Sequence, residues 1–136
     1  MSKPLDTSEP LNPKDIVGQL KPPLHLIPSP ALVEVARVMG NGAFKYGAYN
    51  WRQINVLHST YVSAAERHLR AHFDGQDLDP GALIPHEGKA QPYQRIYNLA
   101  AAAASIMILL DAILTSSGTD DRPPKGVTGD LLYNSD

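Results

Sequence analysis

The chain has 136 residues, enough for one domain. Hydrophobic residues make up 43% and charged residues 19%, with a net charge of −2, so one real core is within reach and the overall basic field of most nucleic-acid binders is absent. With no cysteine, disulfides, zinc–thiolate sites and thiol catalysis are excluded, and a reducing compartment is compatible with that.

The first residues, MSKPLDTSEPLNPKD, carry no apolar run, so no secretory signal is expected. Seven of the twelve prolines fall in the first 30 residues. Each fixes its own φ and disfavours helix in the residue before it, which predicts an extended Pro-rich arm over 1–28. The first helix is expected to open at Ser29-Pro30, where Ser caps free N–H groups and Pro suits the first helical position. It should stop near Gly40 and Gly42, with Leu32, Val35, Ala36 and Met39 facing the core. Glu34 lies off the centre of that stripe, where it can point along a cleft.

A loop from Gly42 to Arg52 follows, with Phe44, Tyr46, Tyr49 and Trp51 set among Lys45, Arg52 and turn-forming Gly and Asn. Such a surface can stack a base and neutralise phosphates, or simply plug the loop against the body. The second helix is expected over Val56–Phe73, ending before Asp74-Gly75. Leu57, Tyr61, Ala64/Ala65, Leu69 and Phe73 form its apolar line, opposite Ser59, Ser63, Glu66 and Arg70. Glu66 and Arg70 form an i,i+4 pair of the favourable orientation. His68 continues the inward line, as a hydrogen-bonded core residue or as a metal ligand, phosphate contact or general base. His72 lies at i,i+4 from it, a spacing that can hold a metal, although no Glu follows His68 as in the zinc-protease pattern. A His-Asp metal dyad is rejected, because Phe73 separates His72 from Asp74.

The turn Asp74-Gly75-Gln76-Asp77-Leu78-Asp79-Pro80 is rich in carboxylates that could ligate Mg²⁺ or Mn²⁺, or it is an ordinary Asp/Gly/Pro turn. The stretch 87–91 reads as an insertion. The third helix is predicted from about Pro92 to Leu114, with five consecutive alanines from Ala100 to Ala104. Helix apolar on nearly all sides is buried on nearly all sides, which points to the centre of a homo-oligomeric bundle. At 16 residues, with Ser105 and Asp111 inside it, the run 99–114 is too short and too polar for a membrane span. Asn98 and Asp111 stand out on it, because a buried Asp is costly unless it is paired or metal-bound. From 117 onward the chain is a polar tail, which leaves 29–116 as the helical domain.

Taken together, the string Leu26-Ile27-Pro28 with Ala31-Leu32-x-Glu34-x-Ala36, then Gly42-Ala43-x-Lys45-Tyr46-x3-Asn50-Trp51, then Arg67-His68-Leu69, then Gly75-x-Asp77-x-Asp79-Pro80, resembles one family. It is the small, largely phage-encoded dATP/dGTP diphosphohydrolase N-terminal family, itself similar to MazG-type all-α nucleoside triphosphate pyrophosphohydrolases. The likeness covers roughly residues 24–114. In this chain Gln76 stands where the family's turn has Glu, and Arg37 stands where a MazG-type Glu-x-x-Glu would have its second acid.

The resemblance implies an all-α, MazG-like helical bundle completed by homo-oligomerisation as a dimer or tetramer. It also implies Mg²⁺ or Mn²⁺ held by carboxylates, and hydrolysis of a purine deoxynucleoside triphosphate (dGTP and/or dATP) to the monophosphate and pyrophosphate. By that resemblance Glu34, Asp77 and Asp79 are the metal residues, and Glu34, His68 and Asp79 the catalytic ones. Lys45, Tyr46, Asn50, Trp51, Arg67 and Asn98 are candidates for substrate binding. Nucleotide-pool control in a cytoplasm, the host's if the chain is phage-encoded, is the expected setting, with no membrane and no direct nucleic-acid binding. Two other classes are weighed beside it: an inactive nucleotide-binding or protein-interaction module on the same bundle, and a purely structural oligomer.

Overall fold

The computed structural model describes Pro4 and residues 9–134, and the expectations for 1–3, 5–8, 135 and 136 lie outside them. Within the expected arm, Asn12 caps a short helix α1 (Pro13–Gly18), its side chain accepting the Lys14 N–H at 2.8 Å. A single helical turn follows at Leu24–Leu26. The expected extended arm is therefore corrected there, because a capping Asn followed by Pro nucleates a turn of helix.

Helix α2 (Ser29–Tyr46) opens at Ser29-Pro30 as the sequence predicts, but it runs on through Gly40 and Gly42 to end at Gly47, whose φ is +90°. The reason lies in packing. The Tyr93 ring lies so close over α2 that a Cβ at Gly40 would stand 2.7 Å from its Cε2. Gly40 is thus a contact point rather than a stop. Val35 is the buried anchor of α2, with Val38 and Met39 beside it, while Leu32 and Ala36 are exposed, against expectation.

Helix α3 (His58–Phe73) and helix α4 (Asn98–Leu114) form the central pair. Two-residue strands β1 (Val56–Leu57) and β2 (Gly118–Thr119) pair in parallel and join the start of α3 to the end of α4, so the two helices run antiparallel. The tail folds back at this end. Asp121 accepts the Ser59 N–H at 2.9 Å, occupying a donor that the start of α3 leaves free, and it also holds the Ser59 hydroxyl. Those two bonds hold the Asp121 carboxyl below the usual carboxylate range. Beyond it, α5 (Thr128–Tyr133) exposes Leu131, Leu132 and Tyr133.

α3 ends where the sequence predicts. The N–H groups of Gly75 and Gln76 return to the carbonyls of His72 and Ala71, with Gly75 at φ +89°. α4 starts at Asn98 rather than near Pro92, because residues 77–79 capture 96–98 in a short antiparallel ladder: Asp79 N–H to Ile96 carbonyl and Asn98 N–H to Asp77 carbonyl, both 2.8 Å. Between them, His86-Glu87-Gly88-Lys89 closes a tight hairpin, with both central residues at positive φ.

The core is built from alanine. Ala100 and Ala104 meet Val35 of α2, and Ala101 meets Ala82 and Ile96. Small side chains let the backbones approach closely. The opposite face of α4 is not covered. Leu99, Ile106, Leu110 and Ile113 are all about half exposed, as is Leu69 on α3, and Phe73 is 82% exposed. Within one chain α4 is thus buried on its alanine face alone. Among the described residues no helix is long and apolar enough to cross a membrane.

Candidate functional site

The last turns of α2, the turn after it, one face of α3, the acidic turn and α4 enclose a cleft of about 750 Å³, within the size range of small-ligand sites. Lys45, Tyr46, Asn50, Trp51, His68 and Asp79 all line it. Lys45 and Tyr46 are there because α2 continues past its glycines. The Lys45 ammonium lies 5.4 Å from the Tyr46 ring centroid and has no ion-pair partner among the described residues.

The wall from Gly47 to Arg52 is fastened to α4 by Asp111. Trp51 Nε1 donates to Asp111 Oδ2 at 2.7 Å. The Arg52 guanidinium grips the same carboxylate with two bonds, Nε to Oδ2 and Nη2 to Oδ1, each 2.8 Å. The fork geometry of Arg suits such a bidentate pair. Arg52 first, and then the Trp51 N–H, hold the Asp111 carboxyl down at about 2, while the carboxylate raises the guanidinium. Tyr49 takes a left-handed φ of 56°, uncommon for a bulky residue, which sets its ring 4.8 Å under Arg52 and 5.3 Å from Trp51. Tyr46 packs edge-on against His86 at 5.9 Å.

On the other side, His68 Nδ1 meets Asn98 Oδ1 at 2.9 Å, and the Asn98 amide nitrogen donates to the carbonyls of Gln76 and Leu78. Asp79 caps the next turn through the Gly81 N–H at 2.9 Å, while its second oxygen takes no hydrogen bond among the described residues. Gln91, buried, pins that turn by donating to the carbonyls of Gly81 and Ile84. Tyr61 also lines the cleft, and burial, with a contribution from Tyr46, raises its hydroxyl above the ordinary value.

Four of the sequence-predicted residues lie elsewhere. Glu34 faces Arg37 at 3.6 Å in a separate groove with Tyr93 and Arg95. Arg67 lies on the outer face of α3, bonded to Ser63 Oγ at 3.1 Å, in a groove it shares with Glu66, Arg70 and His72. His72 therefore does not join His68, and no ion pair links Glu66 to Arg70 among the described residues. Asp77 is exposed and does not line the cleft. Asn98 is 2% exposed with its polar atoms all engaged, so it supports the site instead of touching a ligand. The expected three-carboxylate set Glu34, Asp77 and Asp79 is thus corrected for a single chain: among the described residues no group of three His, Asp or Glu side chains could hold a metal.

Sequence reasoning flagged Asp111 without finding its partners, and it missed Gln91 and the buried Asn41. Asn41 exchanges two hydrogen bonds with the Tyr93 backbone, at 2.7 and 2.9 Å. Asn41 sits between Gly40 and Gly42, where the sequence predicts the helix to stop, so nothing local marks it as a buried residue of the helix. A lone Gln in a loop gives no signal either.

A family model described as dATP/dGTP diphosphohydrolase, N-terminal, matches residues 11–122. No curated protein and no solved structure matches the chain.

Proposed function

The chain belongs to the dATP/dGTP diphosphohydrolase N-terminal family, and from that premise we propose that it hydrolyses purine deoxynucleoside triphosphates, dGTP, dATP or both, to the monophosphate and pyrophosphate. The observation that carries the reading is the convergence of Lys45, Asn50, Trp51, His68 and Asp79 on one cleft, although they come from separate stretches of the chain. A triphosphate needs a cation for its charge, and Lys45, with no ion-pair partner among the described residues, is one on the cleft wall. A purine needs a flat apolar surface and a polar edge, which the Tyr49–Trp51 pair and Asn50 provide. The Trp51 N–H is spent on Asp111, so the ring offers its face.

Pyrophosphohydrolases of this kind typically use divalent metals, and the donors of one chain fit such an ion only in part. Mg²⁺ usually keeps several waters and binds through one or two carboxylates plus phosphate oxygens. Asp79, which lines the cleft and has one oxygen without a hydrogen bond among the described residues, meets that lesser demand together with the substrate. When bound, Mg²⁺ or Mn²⁺ would neutralise charge developing on the leaving group. What the chain's own residues do is hold the phosphates at Lys45, seat the base at the turn, and keep the cleft wall in place through Asp111.

Support for a homo-oligomer comes from α4. Leu99, Ile106, Leu110 and Ile113 recur at spacings of seven, four and three on its uncovered face, the spacing of a helix–helix seam. A second copy, in a dimer or tetramer, is the proposed occupant, and Ile106→Asp should lower the mass seen by light scattering. A cytoplasmic role in nucleotide-pool control for a phage belongs to the same reading.

The test is product analysis by ion-exchange chromatography, with purified protein, Mn²⁺ or Mg²⁺, and each dNTP and NTP separately. Conversion of a purine dNTP to dNMP and pyrophosphate is expected; release of intact triphosphate would move the chain to another phosphohydrolase type. The position of Glu34 outside the cleft favours one second reading, an inactive nucleotide-binding module. That reading gives no turnover with any nucleotide, yet a rise in Tm with a purine dNTP, whereas a purely structural oligomer gives neither.

A further inference from the structure

The bonds around Asn98 fix more than the acidic turn. We propose that Asn98 is a positioning residue that holds His68 as the Nδ1–H tautomer, leaving Nε2 bare to accept the proton of the attacking water. The second half rests on the pyrophosphohydrolase reading above; the first half does not.

The argument starts from which end of the Asn98 amide is which. One end lies 2.9 Å from the Gln76 carbonyl oxygen and 3.2 Å from that of Leu78. Two carbonyls can only accept, so the NH₂ group must be there; the flipped amide would set three oxygens against one another. The other end, 2.9 Å from His68 Nδ1, is therefore the amide oxygen, which carries no proton. The proton of that bond belongs to Nδ1. In the neutral ring Nε2 then holds a lone pair, and it has no hydrogen-bond partner among the described residues. His68 lines the same cleft as Asp79 and the Gly47–Arg52 wall.

The lock is stiff, because the Asn98 N–H is itself bonded to the Asp77 carbonyl at 2.8 Å and the side chain is enclosed. In the reaction, the water oxygen bonds to a phosphorus of the α–β bridge. The bridging P–O bond breaks with its electron pair remaining on the bridging oxygen, and the water proton passes to Nε2. A ring fixed as the other tautomer would present an N–H to that water and could not take its proton.

The test uses the full chain labelled with ¹⁵N-histidine and long-range ¹H–¹⁵N correlation spectra at alkaline pH, with His68 assigned by its loss in His68→Gln. The expected spectrum has Nδ1 protonated and Nε2 of the bare type; a protonated Nε2 overturns the proposal. In Asn98→Ala the ring should lose its Nδ1 preference, and an unchanged spectrum removes Asn98 as the cause. If that variant does not fold, the wild-type spectrum still decides the tautomer. His68→Gln should lower kcat by about 10²–10⁴-fold with KM nearly unchanged, the usual contribution of a general base. An unaltered kcat overturns the base step. If the wild-type protein turns over no purine dNTP, the base step falls with the functional reading, while the tautomer stands or falls on its own spectrum.

Discussion

Two turns border the cleft, and each is pinned to α4 by one polar side chain. Residues 74–79 are held near the start of that helix by Asn98, and residues 47–52 near its end by Asp111. The pins differ in kind. Asn98 is neutral and enclosed, with donors and acceptor all matched. Asp111 is charged and partly exposed, matched to a guanidinium and an indole. Burying a charge costs several kcal/mol, whereas burying a satisfied amide does not, so the enclosed position takes the amide and the rim takes the carboxylate. One turn is thereby pinned by a side chain without charge, and the other through an ion pair that salt and acid weaken.

The sharpest way to break this contrast is Asn98→Ala. It leaves the Gln76 and Leu78 carbonyls and the His68 ring N–H without their partner, at about 1–3 kcal/mol for each buried group left unsatisfied. A loss of about 3 kcal/mol in chemical denaturation is expected, with little dependence on salt because no charge is removed. A loss under about 1 kcal/mol would mean that water replaces the amide and that the pin is not a dry one.

Asp111→Asn should behave otherwise. The Asp111 carboxyl is held at about 2 in the folded chain, below its ordinary value. Its contribution is therefore fully present above that ordinary value of about 4 and is lost as pH falls through the folded value. The Tm gap between wild type and Asp111→Asn should be constant from pH 5 to 7 and close as pH drops from about 4 toward 2. It should also shrink in high salt, which screens a rim ion pair. A gap that survives both treatments would show that shape, not charge, holds the turn.

The same contrast explains what the sequence makes legible. Asn98 and Asp111 stand out because a polar side chain on an apolar helix needs a reason, and the start of α2 and the end of α3 are readable from Ser29-Pro30 and Asp74-Gly75. Their partners are not readable, since Trp51 and Arg52 lie about sixty residues before Asp111. Nothing local announces that pairing. Gly40 fails as a helix stop for a similar reason: local propensity counts it as a breaker, but the Tyr93 ring over it decides. Resemblance puts Glu34 in the site, while the groove it shares with Tyr93 and Arg95 is a tertiary fact.

Within the charged pin, Arg52 and Trp51 should contribute unequally, and a ¹³C titration of the Asp111 carboxyl separates them. Arg52 gives two bonds and a full charge, and it is the first cause of the lowered value; the Trp51 N–H is the second. Arg52→Ala should carry the Asp111 midpoint most of the way back to an ordinary carboxylate. It should also weaken purine dNTP binding, because an unmatched negative charge then stands in the cleft wall. Trp51→Phe is the smallest change. It deletes one neutral hydrogen bond but keeps a ring against Tyr49 and leaves the bidentate pair intact, so the midpoint should rise only slightly and Tm should fall by less than in Arg52→Ala. If instead the two variants move the midpoint equally, the indole is acting on the guanidinium as well as on the carboxylate. The Tyr49 geometry, with one ring against both, would be the route.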